Sequence, residues 1–217
     1  MIRKVLLVIS LLTAPLWIVG FSTRMAFSDW FIDFEYSKED FPEDRWGMPD
    51  EIRKELAKLG LQAVLSDEGL ERFKEARLPN GNRAFREKEI KHMEDVKNFL
   101  KIFFPLSYVA FILWFGSFVF LREDRWKALF YSGVFTVGLI FAAGIISYID
   151  YNLVFTVFHD HIFGEYTWRF RLKDTLLRIY PMKFWFDGTF FVISLSLLIS
   201  LSIILSGFFL KRVYNQE

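Results

Sequence analysis

This chain of 217 residues contains no cysteine. That absence removes disulfides, thiolate metal sites and an enzyme-borne thiol nucleophile together, and leaves the redox compartment open. Histidine is almost as scarce, with three copies, and the net charge is only +1. A chain so near neutrality exerts no long-range pull on a polyanion, and no basic stripe carries interleaved stacking aromatics. Nucleic acid is therefore not an expected partner. What the chain does have is apolar surface. Hydrophobic residues make up 53%, aromatic ones 19%, and Phe alone occurs 27 times, yet 24% of residues are charged. Both fractions fit one chain only if they are segregated into blocks, as in a membrane protein.

Four apolar runs, at 5–21, 99–121, 128–149 and 184–210, meet the roughly 20 residues that a hydrocarbon core demands. The first follows Arg3 and Lys4 and so resembles a signal peptide, but no small-x-small cleavage site follows it and Pro15 and Trp17 interrupt it. It reads as a retained helix. Between the runs lie a polar segment at 22–98, a tight turn REDRWK at 122–127 and a second polar segment at 150–183. There is no internal repeat and no low-complexity tract. The expected fold class is an all-α membrane protein: four transmembrane helices and a mainly helical extracytoplasmic cap built from the two polar segments.

Short basic flanks set the orientation. The N-terminal tail, the REDRWK turn and Lys211 and Arg212 all read as cytoplasmic. From 22 to 96 the first polar segment holds 13 Lys and Arg against 18 Asp and Glu, which suits the outer face. The second segment argues the other way through Arg169, Arg171, Lys173, Arg178 and Lys183. With four spans and both tails inside, the two polar segments share one face.

The histidines fall in telling places. Steps of four and three from Phe85 give Glu89, His92, Val96, Phe99 and Phe103, so His92 and Glu89 share an otherwise apolar stripe. Asp95, three residues on, is near enough on a helix to orient the ring. Beyond the third run the same spacing aligns Tyr148, Asn152, Phe155, His159 and Ile162. A continuous helix from 128 to 159 would be on the order of 45 Å long, well past a hydrocarbon core of about 30 Å. His159 is thus expected above the apolar boundary and facing inward, at a depth similar to His92. His161 is displaced by about 200° and faces elsewhere. Two inward histidines at the seam of cap and membrane, in a chain with only one other, form a candidate site.

The residues around them carry a family resemblance. The runs IKHMEDVK at 90–97, VFHDHIFGEYTW at 157–168 and LLRIYPMKFWFDG at 176–188 resemble the bacterial lipoprotein intramolecular transacylase family. The segment 35–80 matches far less clearly, and His161 stands where an apolar residue is expected. The resemblance implies an integral membrane acyltransferase with four helices and an extracytoplasmic cap, in the bacterial cytoplasmic membrane. It also implies a reaction: an acyl chain moves within a diacylglyceryl lipoprotein from the glyceryl sn-2 oxygen to the N-terminal cysteine amine, leaving a lyso-form product. Two histidines catalyse that step in the family, and they map onto His92 and His159. No cofactor and no metal are implied, and the partners are the lipoprotein substrate and membrane lipids.

The chemistry suits these residues. Turning an ester into an amide needs a base for the amine proton and an acid for the departing alkoxide, and imidazoles with pKa near 6.5 serve as either. Because the nucleophile belongs to the substrate, an enzyme thiol is not needed. Water would hydrolyse the same ester, so the site must be dry. Phe155, Phe158, Phe163, Trp168 and Trp185 are the expected walls, with Asn152 and Asp187 grouped among the substrate contacts. An interfacial aromatic belt is the plain alternative for Trp185. Asp95 and Glu89 are the expected orienting partners of His92. Asp187, costly near lipid, is expected to bond to the cap or to a histidine, or to serve a helix N-terminus. The stretch WRFRLKDTLLRIYPMKFW suits a helix lying in the interface, with Leu172, Leu176 and Ile179 inward and its basic residues toward headgroups.

Two rival readings stand beside this one. His92, His159, His161, Asp95 and Asp160 include metal-ligand types, which would make a metal-dependent membrane hydrolase, although a His-x-His pair diverges on a helix where zinc helices place histidines four apart. A non-enzymatic membrane scaffold or assembly factor is the other. Transport is weaker still, since the third run holds no ionisable residue.

Overall fold

The computed structural model describes residues 1–214 and consists of helices in the order α1 (Ile2–Ala26), α2 (Asp29–Tyr36), α3 (Asp50–Leu65), α4 (Asp67–Glu75), α5 (Glu87–Phe120), α6 (Arg125–Ile149), α7 (Tyr151–Phe163), α8 (Thr175–Ile179) and α9 (Met182–Tyr214). Among the described residues there is no strand, only an isolated bridge between Arg77 and Arg83. The four apolar runs fall, to within one residue, in four helices long and apolar enough to cross a membrane: α1, α5, α9, and α6 with the short 3₁₀ turn before it. The chain divides into two compact units. One comprises Met1–Arg24, Phe103–Tyr151 and the chain from Phe190; the other comprises Met25–Ile102 and Asn152–Thr189.

The first unit packs helices through small residues. Apolar side chains gain little by leaving lipid for one another, so close backbone approach and short polar contacts must hold such helices together. Ser10, Ser22, Ser107, Ser132, Thr136, Ser196 and Ser200 are all buried. Ser196 Oγ donates to Ser22 Oγ at 3.0 Å, and Trp114 Nε1 donates to Ser132 Oγ at 3.2 Å. At Gly20 a Cβ would come within 2.3 Å of Ser107 Cβ, and at Gly207 within 2.9 Å of the Phe130 backbone nitrogen. Ala14, Ile18, Trp114, Leu129 and Ile203 form the apolar core between these contacts.

The second unit holds most of the charge and buries some of it with full pairing. Arg53 is 1% exposed; its Nε donates to the Arg178 carbonyl at 2.9 Å, and its Nη1 donates to the Pro42 carbonyl at 2.9 Å and to Asp50 at 2.7 Å. Arg178 in turn grips Asp44 with two bonds of 2.9 Å, while the Trp46 and Met48 N–H groups donate to the same carboxylate. Those donors outweigh desolvation and hold the Asp44 carboxyl down to about 2. Tyr180 donates its hydroxyl to the Ala57 carbonyl at 2.5 Å and Tyr36 to the Ile179 carbonyl at 2.7 Å. Short helix α8 is thereby fastened to α2 and α3.

Two expectations are corrected here. The helix after the third apolar run is not continuous: the backbone is extended at Asp150 (φ −154°, ψ 93°), so α6 ends and α7 begins anew. Asp competes for backbone groups and favours helix ends, which makes it a natural breaking point. Of the expected stripe only Phe155 and His159 are partly buried: Tyr148 is 93% exposed, and Asn152 and Ile162 are exposed as well. Nor is 168–185 an interfacial helix. Only Thr175–Ile179 is helical before the chain stops at Tyr180, the residue before Pro181. Leu176 and Ile179 are buried as expected, but Leu172 is 67% exposed, and Arg178 turns to Asp44 instead of toward headgroups.

Candidate active site

The site lies wholly within the second unit and begins with a helix cap. Arg86 occupies the cap position of α5, and Glu89, three residues on, reaches back so that its Oε2 accepts the Arg86 N–H at 2.8 Å. Its other oxygen accepts the Leu176 N–H at 2.6 Å, in the first turn of α8. One buried carboxylate therefore serves the N-termini of two helices, where dipoles favour negative charge. Burial raises the Glu89 pKa, against the pull of these two donors. Asp174, at the residue before α8, turns its carboxylate away from that helix: it accepts from the Arg171 N–H at 2.9 Å and pairs with Arg86 at 2.8 Å, closing the same corner.

One turn beyond Glu89, His92 is 8% exposed, its Nδ1 buried without a hydrogen-bond partner. Phe163 and Phe170 meet it edge-on at 5.1 and 5.4 Å. Across the cavity stands His159, its ring centroid 6.2 Å away and the two planes 28° apart. At that spacing no nitrogen of one ring reaches the other within hydrogen-bond range. The two face a common space and do not bond each other. Nδ1 of His159 lies 2.8 Å from the Phe155 carbonyl, which can only accept, so this nitrogen carries the proton and Nε2 keeps its lone pair. The His159 ring stacks on Phe155 at 3.9 Å and is flanked by Trp168 at 4.8 Å, Phe158 at 5.4 Å and Phe163 at 5.5 Å.

This environment acts on both imidazoles in one direction. Burial, aided by the neighbouring His159 and Lys88, pushes His92 down to about 4. Burial also lowers His159, against its bond to Phe155 and the charge of Asp160. Both rings are therefore neutral at neutral pH and competent as proton acceptors. The cavity between them has a volume of about 210 Å³. His92, His159, Phe155, Trp168 and Trp185 line it, together with Arg169, Phe170, Leu176, Leu177 and Met182. Rings and aliphatic side chains make up most of its lining, with Arg169 the one permanently charged residue among them.

Not every expected site residue comes to this place. Asp95 does not orient His92; it pairs with Lys91 at 3.1 Å, because a cation four residues back on the same helix outcompetes a buried neutral ring. Glu89 fixes the helix that carries His92 and does not bond the ring. Asn152 is exposed at the start of α7 and does not line the cavity. Asp187 bonds to the cap and not to a histidine, pairing with Lys38 of the first polar segment at 2.9 Å and with Lys183, four residues back on α9, at 3.0 Å. His161 is exposed, with Nδ1 bonded to the Val157 carbonyl at 2.8 Å. The ligand types weighed for a metal are thus not gathered, and among the described residues no three His, Cys, Asp or Glu side chains converge as a metal would need. Sequence reasoning missed Arg169 and Phe170, in the irregular stretch after α7, and Leu177 and Met182, in the short α8 and at the start of α9, where too few residues share one helix for a periodic signal.

Comparison with known proteins bears on this arrangement. The family model described as lipoprotein intramolecular transacylase Lit matches residues 8–185. An uncharacterized protein of Aquifex aeolicus (strain VF5) is 49% identical over 210 residues, covering 97% of this chain and 96% of that protein. Among solved structures, the membrane integral lipoprotein intramolecular transacylase Lit from Bacillus cereus aligns with a TM-score of 0.77 at 16% identity, over 100% of this chain and 99% of that one. A variant of the same enzyme with one histidine changed to alanine aligns with a TM-score of 0.65 at 15% identity, over 100% of this chain and 96% of that one. These structures share the fold.

Proposed function

This chain belongs to the lipoprotein intramolecular transacylase Lit family, and we propose that it moves an acyl chain within a diacylglyceryl lipoprotein from the glyceryl sn-2 oxygen to the N-terminal cysteine amine. It is a multi-pass integral membrane enzyme, and its substrate is a membrane lipoprotein. The observation that carries the finer reading is the pair of buried imidazoles, 6.2 Å apart, facing one cavity lined mostly by apolar side chains.

The amine attacks the ester carbonyl, a C–N bond forms, and the bond from the acyl carbon to the glyceryl oxygen breaks. The proton lost by nitrogen is the proton that oxygen requires, so the reaction is an isomerisation and consumes nothing else. His159 takes the proton, since its Nδ1–H is committed to Phe155 and Nε2 remains open. His92 faces the same space and assists at the leaving oxygen. Holding amine and ester together supplies much of the acceleration, with effective molarities of about 10⁵ M or more in good geometry. The apolar walls also keep the attacking amine uncharged, which nucleophilic attack requires.

The direct test is mass spectrometry of a diacylated lipopeptide incubated with the purified enzyme and its variants. His92→Ala and His159→Ala should each cut lyso-form product by about 10²- to 10⁴-fold, the worth of a positioned acid or base. Undiminished product in both variants would falsify the reading. We further propose that 22–98 and 150–183 face the outside of the cell, which the basic short loops support. Because the native chain has no cysteine, single cysteines at Gly81 and at Glu123 give a clean readout. An impermeant maleimide should label the first in intact cells and spare the second.

A further inference from the structure

Asp160 takes no part in the proton transfers above, yet it organises one wall of the cavity. After α7 the chain reverses through Gly164 and Tyr166, both in the left-handed region at φ 84° and 65°. Thr167 Oγ1 closes the turn by donating to the Phe163 carbonyl at 2.7 Å. The reversal lays Trp168 back over its own helix, where the indole N–H donates to Asp160 Oδ1 at 2.7 Å. Arg169 Nη2 reaches the other oxygen at 3.4 Å, and its guanidinium lies over the rings of Tyr166 and Trp168 at 4.7 and 5.3 Å. So held, the Trp168 ring sits 4.8 Å from His159 and 5.7 Å from Phe155.

We propose that Asp160 is a positioning residue: by fixing the Trp168 indole against His159 it keeps water from the ester and so decides whether the acyl group is transferred or hydrolysed. This rests on the transacylase reading. In transfer the amine nitrogen bonds to the acyl carbon and the glyceryl oxygen leaves with a proton, giving the amide. In hydrolysis a water oxygen bonds to the same carbon and the same oxygen leaves, giving free fatty acid and an unmodified amine. Both routes deliver the lyso-glyceryl group. Only the fate of the acyl chain separates them, and exclusion of water, together with the held amine, favours the first.

The experiment measures amide product and free fatty acid together, from a diacylated lipopeptide in detergent, for folded enzyme judged by its melting curve. Asp160→Ala should raise the ratio of fatty acid to amide by roughly tenfold or more, as follows from losing a hydrogen bond to a charged acceptor. Asp160→Asn, whose amide oxygen still accepts from the indole, should restore most of the wild-type ratio. Trp168→Phe keeps an aromatic wall but loses the N–H and should match Asp160→Ala, with the double variant no worse than either. An unchanged ratio in Asp160→Ala, or additive effects in the double variant, would overturn the proposal. Failure of Asp160→Asn to restore the ratio would overturn it too, by assigning the effect to the carboxylate's charge on His159. If the wild-type enzyme forms no amide at all, it is the transacylase reading that fails.

Discussion

Two regions of one unit bury ionisable groups in opposite ways. Around Arg53, Asp44 and Arg178 every charge is matched, by carboxylates, carbonyls and backbone N–H groups at 2.7–3.0 Å. Around His92 and His159 the neighbours are rings, and one imidazole nitrogen has no protein partner at all. Burying a polar group is unfavourable unless it is paired, so the first arrangement holds the structure together and the second strains against it. A folded protein retains the second kind where chemistry requires it. On the proposed function, the contrast separates the residues that build this unit from those that carry its chemistry.

Variation at the two regions should therefore give opposite signatures. The largest effect expected is on turnover: loss of either His92 or His159 costs about 10²- to 10⁴-fold in amide formation, while the melting temperature stays near wild type or rises. A large drop in stability with either change would break the contrast. Next, Asp44→Ala or Arg178→Ala strands a buried charge and should destabilise the protein by about 3–5 kcal/mol, read by thermal denaturation in detergent, with turnover per folded molecule retained. Third is the response to acid. The unfolded chain takes up a proton at His92 near pH 6.5, whereas the folded chain refuses it until about 4. Stability should fall as pH drops through that window, by up to about 3 kcal/mol, and His92→Phe should remove that part of the slope. Asp44, about 2 when folded and 3.8 when unfolded, should add little in that window and lose most of its contribution only below pH 4. The smallest effect belongs to Tyr36→Phe, where one hydrogen bond to a carbonyl is worth about 1 kcal/mol.

Much of this was legible from residue order. Hydropathy located four apolar runs, and helical spacing put His92 and His159 on inward stripes, because burial of an amphipathic face is a local property. What was not legible depends on partners distant in the chain. Arg178 looked like a headgroup residue until Asp44, 134 residues earlier, took it. Glu89 looked like an orienting group for His92, yet its second oxygen was claimed by Leu176, 87 residues on. Asp95 failed for a nearer reason, since Lys91 offered it a full charge where His92 offers a neutral ring. The break at Asp150 was hidden because the apolar spacing continues across it. Trp168 was expected in the wall, but its tie to Asp160 depends on a left-handed turn at Tyr166 that no periodicity announces.

The carboxylate of Glu89 begins two helices at once, and that gives the cavity a fixed datum. The helix bearing His92 and the one bearing Leu176 and Leu177 are measured from the same pair of oxygen atoms, so neither slides without surrendering a backbone bond in a water-poor corner. The turn after α7 has no such shared anchor: one backbone bond, Thr167 N–H to the Gly164 carbonyl at 3.4 Å, and the side chains of Thr167, Trp168 and Arg169 fasten it to its parent helix.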